Sequence, residues 1–117
     1  MTEFIIKSNL VGCDSQGIIR LMNYLNLYKK GEAKSGIKIK LLKETSSTAV
    51  IDGRWGFGQI VACQAMRMVI QKARKNSVSV VTVHHCNHIG RLSNYAVMAA
   101  KQHMIGIVII NGTEIPF

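Results

Sequence analysis

The run Val78–Val83, VSVVTV, leads without a break into HHCNHIGR, and it limits the possible folds more than any other stretch. Valine and threonine are branched at Cβ and favour the extended chain. A short apolar run that does not alternate with polar residues reads as a strand covered on both faces, which is the habit of parallel sheets flanked by helices. An alanine- and methionine-rich helical stretch follows at Tyr95–Gln102, and then a second apolar run at Ile105–Ile110. This β-α-β pattern predicts that the two runs lie in one sheet, with a right-handed parallel crossover and the helix on one face.

The rest of the chain fits the same class. Residues 1–12 are short and carry no clear period. Ile18, Leu21, Met22 and Leu25, with Tyr24 and Tyr28 beside them, mark an amphipathic helix from about Gly17 to Tyr28, which Gly31 stops. Ile37, Ile39 and Leu41 alternate with Lys38 and Lys40, the mark of a half-buried strand. ETSS turns the chain and Thr48–Ile51 returns as a second strand. After the glycine-rich DGRWGFG, the apolar spacing from Gln59 to Lys75 is helical. The order is α-β-β-α-β-α-β, a mixed α/β (α+β) class. At 117 residues, with neither repeat nor linker, this is a single partial domain spanning 1–117.

The formal charge of +9 asks for a partner or a solvated face. Lysines gather in YKKGEAKSGIKIKLLKE, Tyr28–Glu44. Such a stripe suits an anionic ligand or nucleic acid. It equally suits a strand edge kept soluble by lysine. No aromatic residues interleave with the lysines as base stacking requires, which argues against nucleic acid. No apolar run approaches the ~18 residues of a membrane span. The start, MTEFIIKSNL, lacks the basic and apolar regions of a signal peptide. Cys13, Cys63 and Cys86 make an odd count without paired spacing, so reduced thiols and a cytoplasmic setting are expected.

Three stretches carry polar side chains where chemistry is plausible. In GCDSQGIIR, Asp14 or Ser15 serves as a helix cap. Arg20 follows near the helix start, where the macrodipole disfavours a cation, so an anionic ligand or a carboxylate partner suits it better. In VVTVHHCNHIGR, the polar residues follow a strand at its carboxyl end, where open α/β sheets bind ligands. On an extended chain His84, Cys86 and His88 share one face and a zinc site is conceivable, but spacing by two with no fourth ligand is not a standard site. One working histidine accounts for the stretch better, since imidazole serves as acid or base near neutrality. In DGRWGFGQIV, Gly56-x-Gly58 has Val61 where a dinucleotide fingerprint has its third glycine, and no acidic residue follows at the expected distance. A tight turn explains the glycines, and Trp55 and Phe57 read as packing anchors. A Cys86–histidine nucleophile pair is disfavoured, because adjacent strand residues point to opposite faces. Met66, Met68, Met98 and Met104 read as core filler.

Together these motifs make the chain similar to the malate/L-lactate dehydrogenase family, which is separate from the Rossmann-fold lactate dehydrogenases and includes sulfolactate and ureidoglycolate enzymes. The family's Asp-Ser-His-Gly-x-x-Arg-x-x-x-Tyr motif is matched by Asp14-Ser15-Gln16-Gly17, Arg20 and Tyr24. Its Asp-Gly-x-x-Gly-x-Gly turn is matched from Asp52 to Gly58, and its Asn-x-His or Ser-x-His-x-Gly motif by Asn87-His88-Ile89-Gly90, with RLSNYA following. The resemblance implies a sulfolactate-dehydrogenase-like fold of which this chain is the N-terminal portion, inactive by itself. It implies hydride exchange between NAD or NADP and a small 2-hydroxy or 2-oxo acid, and a homodimer in the full-length form. It implies that His88 is the acid/base and that Ser15, Arg20 and Tyr24 approach the substrate, with Arg20 at its carboxylate. Gln16 stands in the place of the family's histidine. Glutamine hydrogen-bonds but does not titrate, so Gln16 either orients substrate or marks lost activity. The other reading of the whole chain is a non-catalytic basic module that holds an anionic ligand or nucleic acid.

Overall fold

A computed structural model describes residues 2–12 and 21–112. Its elements are α1 (Thr2–Leu10), α2 (Leu21–Lys29), β1 (Lys40–Glu44), β2 (Thr48–Asp52), α3 (Gly58–Asn76), β3 (Val80–His84) and α4 (Ser93–Ala100). The three strands form one sheet in the order β1-β2-β3. β1 runs antiparallel to β2, from Lys40 opposite Asp52 to Glu44 opposite Ala49, with an irregularity between Leu41 and Lys43. β2 and β3 are parallel, from Thr48 beside Val80 to Asp52 beside His84. The mixed α/β class is therefore as the sequence predicts.

The parallel pair itself is not the expected one. The crossover helix is the long α3, linking β2 to β3. Ile105–Ile110 is extended but belongs to no strand of the sheet. Its side chains alternate between two faces. Met104 and Val108 pack against the core formed by α3 and α4. Between them Gly106 lies so close to α4 that an added Cβ would stand 2.9 Å from the Ala99 Cβ and 3.0 Å from the Ala96 Cα. The other face is bare, with Ile105 94%, Ile107 76% and Ile109 86% exposed. Local patterning thus dictated the conformation of this segment but could not supply a neighbour.

The expectation of a fully buried Val78–Val83 also fails. β3 lies at the edge of the sheet with an alternating exposed and half-buried pattern, and Val80 is 55% exposed. The covered strand is β2, where Ala49 and Ile51 are 2% and 0% exposed. It is central because β1 and β3 flank it. The first strand pairs from Lys40 rather than Ile37, and all five of its residues are exposed. Lysines on this open edge discourage pairing with other chains, which is the solvated-edge role.

Helix α3 carries the core. Val61, Ala65, Met66 and Ile70 recur at helical spacing and are buried. Met66 and Ile70 meet Tyr95 and Ala99 of α4, with Ala62, Cys63, Val69, Met98 and Ile89 packed around them. Emptying such a site by Met66→Ala or Ile70→Ala costs about 2–5 kcal/mol. The far end of α3 is tied to the β1–β2 turn. Lys72 Nζ donates to Glu44 Oε1 at 2.7 Å and to the Thr45 carbonyl at 2.8 Å, and Asn76 Nδ2 to the Ser46 carbonyl at 2.7 Å. These bonds fix α3 lengthwise and so place its N-terminus. None of the helices is long and apolar enough to cross a membrane among the described residues.

Candidate active site

Where β2 and β3 end side by side, two loops meet. His84 closes β3, and His85 then turns left-handed with φ 50°. That reversal ends the alternation that would have put His84, Cys86 and His88 on one face. Cys86 and His88 go to separate tasks. Among the described residues no three metal-ligating side chains come together.

His85 swings outward. Its Nδ1 lies 3.1 Å from Asp52 Oδ1, and its ring is 5.2 Å from that of Trp55. Asp52 Oδ1 also accepts the Arg54 backbone N–H at 2.8 Å. This N–H is the main reason that the Asp52 carboxyl sits below its ordinary pKa, with His85 adding to the effect and desolvation opposing it. Trp55 is 45% exposed and so does not anchor the core. Phe57 instead stacks on Tyr28, with ring centroids 6.1 Å apart.

Cys86 turns inward. Its thiol donates to the Asn87 carbonyl at 3.4 Å, and burial pushes its pKa up to about 11. A thiol protonated at neutral pH is a poor nucleophile, so the disfavoured Cys–His pair has no support here.

His88 meets Tyr24. The tyrosine hydroxyl lies 2.9 Å from His88 Nδ1, across 64 positions of sequence. Tyr24 is 4% exposed, on the inner side of α2, and the two rings are 6.0 Å apart. Two residues that the sequence places in separate motifs thus share one hydrogen bond. Ser15, Gln16 and Arg20 lie outside the described residues, as do the proposed caps Asp14 and Ser15.

Three residues that lie within the motifs, but to which the sequence assigned no role at the site, hold this arrangement. Asn87 hydrogen-bonds the loops on either side of it. Gly58, at the start of α3, sits directly beneath the His88 segment. A Cβ there would be 2.2 Å from the Asn87 carbonyl oxygen and 2.3 Å from that of His88, so no larger residue fits without movement. The α3 N-terminus, which has no side-chain cap, is therefore filled by protein backbone. Tyr95 donates its hydroxyl to the Ile89 carbonyl and pins the far side of the loop. Burial, first of its causes, raises the Tyr95 pKa and keeps that proton in place.

Comparison with known proteins gives a consistent result. The family model described as malate/L-lactate dehydrogenase matches residues 1–116. A malate dehydrogenase of Pyrococcus abyssi is 40% identical over 111 residues, covering 95% of this chain and 31% of that protein. An L-sulfolactate dehydrogenase of Methanocaldococcus jannaschii is 39% identical over 109 residues, covering 93% of this chain and 32% of that protein. Among solved structures, the malate dehydrogenase of Pyrococcus horikoshii OT3 superposes with a TM-score of 0.84 at 33% identity, over 86% of this chain and 29% of that one. The sulfolactate dehydrogenase of M. jannaschii gives 0.84 at 37% identity, with coverage of 86% and 29%. The chain spans about a third of the length of the curated relatives that it matches.

Proposed function

We propose, from the premise that the chain belongs to the malate/L-lactate dehydrogenase family, that it supplies the proton-transfer side of an oxidoreductase interconverting a small 2-hydroxy acid and its 2-oxo acid. The observation that carries this reading is the Tyr24–His88 hydrogen bond at 2.9 Å, which joins the last residue of one family motif to the histidine of another. Reduction of a ketone needs a proton at the oxygen as hydride reaches the carbon. His88, its Nδ1 engaged by Tyr24, gives or takes that proton. The buried phenol holds the ring and its tautomer, which imidazole needs for directed transfer. Arg20 is assigned to the substrate carboxylate, a pairing that guanidinium geometry favours. Ser15 and Gln16 are assigned to orienting the substrate, on the family motif alone.

NAD or NADP supplies the hydride in this reading. The glycine turn before α3 does not fit the cofactor's pyrophosphate, because the backbone of Asn87 and His88 already occupies the space over Gly58. The proposal extends to a homodimer in the full-length form. It also extends to a cytoplasmic setting, which the free thiols of Cys63 and Cys86 support.

The test joins this chain to the remainder of a family enzyme, such as the P. abyssi malate dehydrogenase, and follows nicotinamide oxidation with small 2-oxo acids. The 117-residue chain alone is expected to show no turnover, and the joined protein to show it. His88→Ala should lower kcat by ~10²–10⁴-fold. Arg20→Ala should chiefly raise KM. Gln16→His should raise activity only if that position is the proton donor. A joined enzyme indifferent to His88→Ala yet activated by Gln16→His would move the proton to position 16 and refute the assignment.

A further inference from the structure

The side chain that fixes His88 most directly is its neighbour. Asn87 Nδ2 stands 3.1 Å from the Glu32 carbonyl, 3.1 Å from that of Trp55 and 3.0 Å from that of Gly56. An amide nitrogen has two protons, so three acceptors converge on two donors and one proton is shared. The acceptors belong to two different segments. Glu32 lies in the turn that ends α2, and its own N–H is fixed to the Leu27 carbonyl at 2.9 Å. Trp55 and Gly56 lie in the glycine turn between β2 and α3. Helix α2 is the element that carries Tyr24.

The geometry has a consequence for His88. The hydrogen bond between Tyr24 and His88 is one tether between α2 and the exit of β3. Asn87 supplies a second, because it bonds the α2 turn from the residue adjoining His88. The position also demands a donor. A carboxylate of the same shape would face three carbonyl oxygens with no proton to offer, and partial negative charges at such range repel. From below, the absent Cβ of Gly58 lets the Asn87 and His88 carbonyls settle onto α3.

We infer that Asn87 is a positioning residue: its side-chain amide, by donating to the Glu32, Trp55 and Gly56 carbonyls, sets the geometry in which Tyr24 holds His88. It touches no reacting atom. The inference rests on the reading of His88 as the acid/base group.

The experiment uses the 117-residue chain with ¹⁵N-labelled histidine and reads the ring nitrogens of His88 by long-range proton–nitrogen correlation near neutral pH. Tyr24→Phe defines the signature of a lost bond at Nδ1. Asn87→Asp keeps the shape of the side chain and removes its protons. It should reproduce the Tyr24→Phe shift while the circular dichroism spectrum stays that of the parent, whereas a residue that merely filled space would leave His88 unchanged. A parental His88 signature in Asn87→Asp, with Tyr24→Phe altered, overturns the inference and leaves the reading of His88 standing. A Tyr24→Phe variant identical to the parent removes the pair itself, and both fall. Should Asn87→Asp fail to fold, the parent decides alone. Its Asn87 side-chain protons should exchange about tenfold more slowly than those of exposed Asn23, and equal rates overturn the inference.

Discussion

Replacing Gly58 by alanine sets two physical effects against each other, and the structure says which wins. Gly58 begins α3, with a backbone conformation that alanine tolerates. Helix propensity alone makes Gly→Ala stabilising, by up to about 1 kcal/mol. The added methyl, however, would stand 2.2 Å and 2.3 Å from the carbonyl oxygens of Asn87 and His88, where real contacts essentially never fall below 3.0 Å. Both obstacles are backbone, so no side chain can rotate away. The His88 segment has to retreat by the difference, about 0.8 Å, merely to reach the closest contact seen in proteins. The same displacement along the Tyr24–His88 line would take that bond from 2.9 Å past hydrogen-bond range. Overpacking of this kind costs about 1–3 kcal/mol. With backbone on both sides the upper part of that range, about 2–3 kcal/mol, applies; less about 1 kcal/mol of propensity, the net loss is about 1–2 kcal/mol, which at about 4–8 °C per kcal/mol is a fall in Tm of about 4–16 °C. Thermal unfolding by circular dichroism measures it. Gly112→Ala, where a Cβ meets open space, is the control and should stay within about ±0.5 kcal/mol. A Gly58→Ala protein as stable as the parent, or more so, would refute the claim that backbone fills the α3 N-terminus.

Other expectations concern ionisation and assembly. In a Cys13→Ser/Cys63→Ser variant, Cys86 should react with iodoacetamide at about pH 8 some hundredfold more slowly than free cysteine, because a thiol raised to about 11 is almost wholly protonated there; reaction at the free rate would show it unburied. The lowered Asp52 pKa means that its carboxylate stabilises the fold above the ordinary value of 3.8 and loses that contribution as pH falls through the folded-state value. The Tm gap between parent and Asp52→Asn should accordingly be widest near about pH 6 and close toward about pH 2, and a gap independent of pH would contradict the Arg54 and His85 contacts. The bare isoleucine row of 105, 107 and 109 should make the chain self-associate at tens of micromolar, and lysine at all three positions should relieve this; a monodisperse parental monomer by light scattering would count against it.

How much of this was legible in the sequence depended on how local the cause is. Helix α3 was visible because its apolar period is long and its core face is covered along its whole length. Thr48–Ile51 reads as a strand, yet nothing local says that it sits between two others, whereas the β-branched valine run of β3 reads locally as the covered strand. The apolar run Ile105–Ile110 predicts an extended chain but not its neighbours, because pairing is decided at a distance. Helix α1, nine residues with little apolar period, leaves a weak trace in the sequence. At the site, His88 and Tyr24 are legible through family motifs, and Asn87 stands in the same motif as His88, but the task of its side chain is not legible there. A single asparagine in a loop reads as turn chemistry, and its value lies in three carbonyls brought from distant positions. Gly58 was legible as a turn residue, but the backbone packed against it was not.

The chain contains one tryptophan, and its place at the loop junction has a practical meaning. The carbonyl of Trp55 accepts from Asn87, its N–H donates to the His85 carbonyl, and its ring lies beside the His85 ring with nearly half its surface open. Excited near the red edge of indole absorption, the whole protein emits from this single point. The emission carries no background from elsewhere in the fold, so a change in solvent access or in quenching by the neighbouring imidazole registers in the raw spectrum. The junction that holds His88 comes with its own optical probe, and the arrival of a small acid or a shift of the loop can be followed in real time without attaching a label.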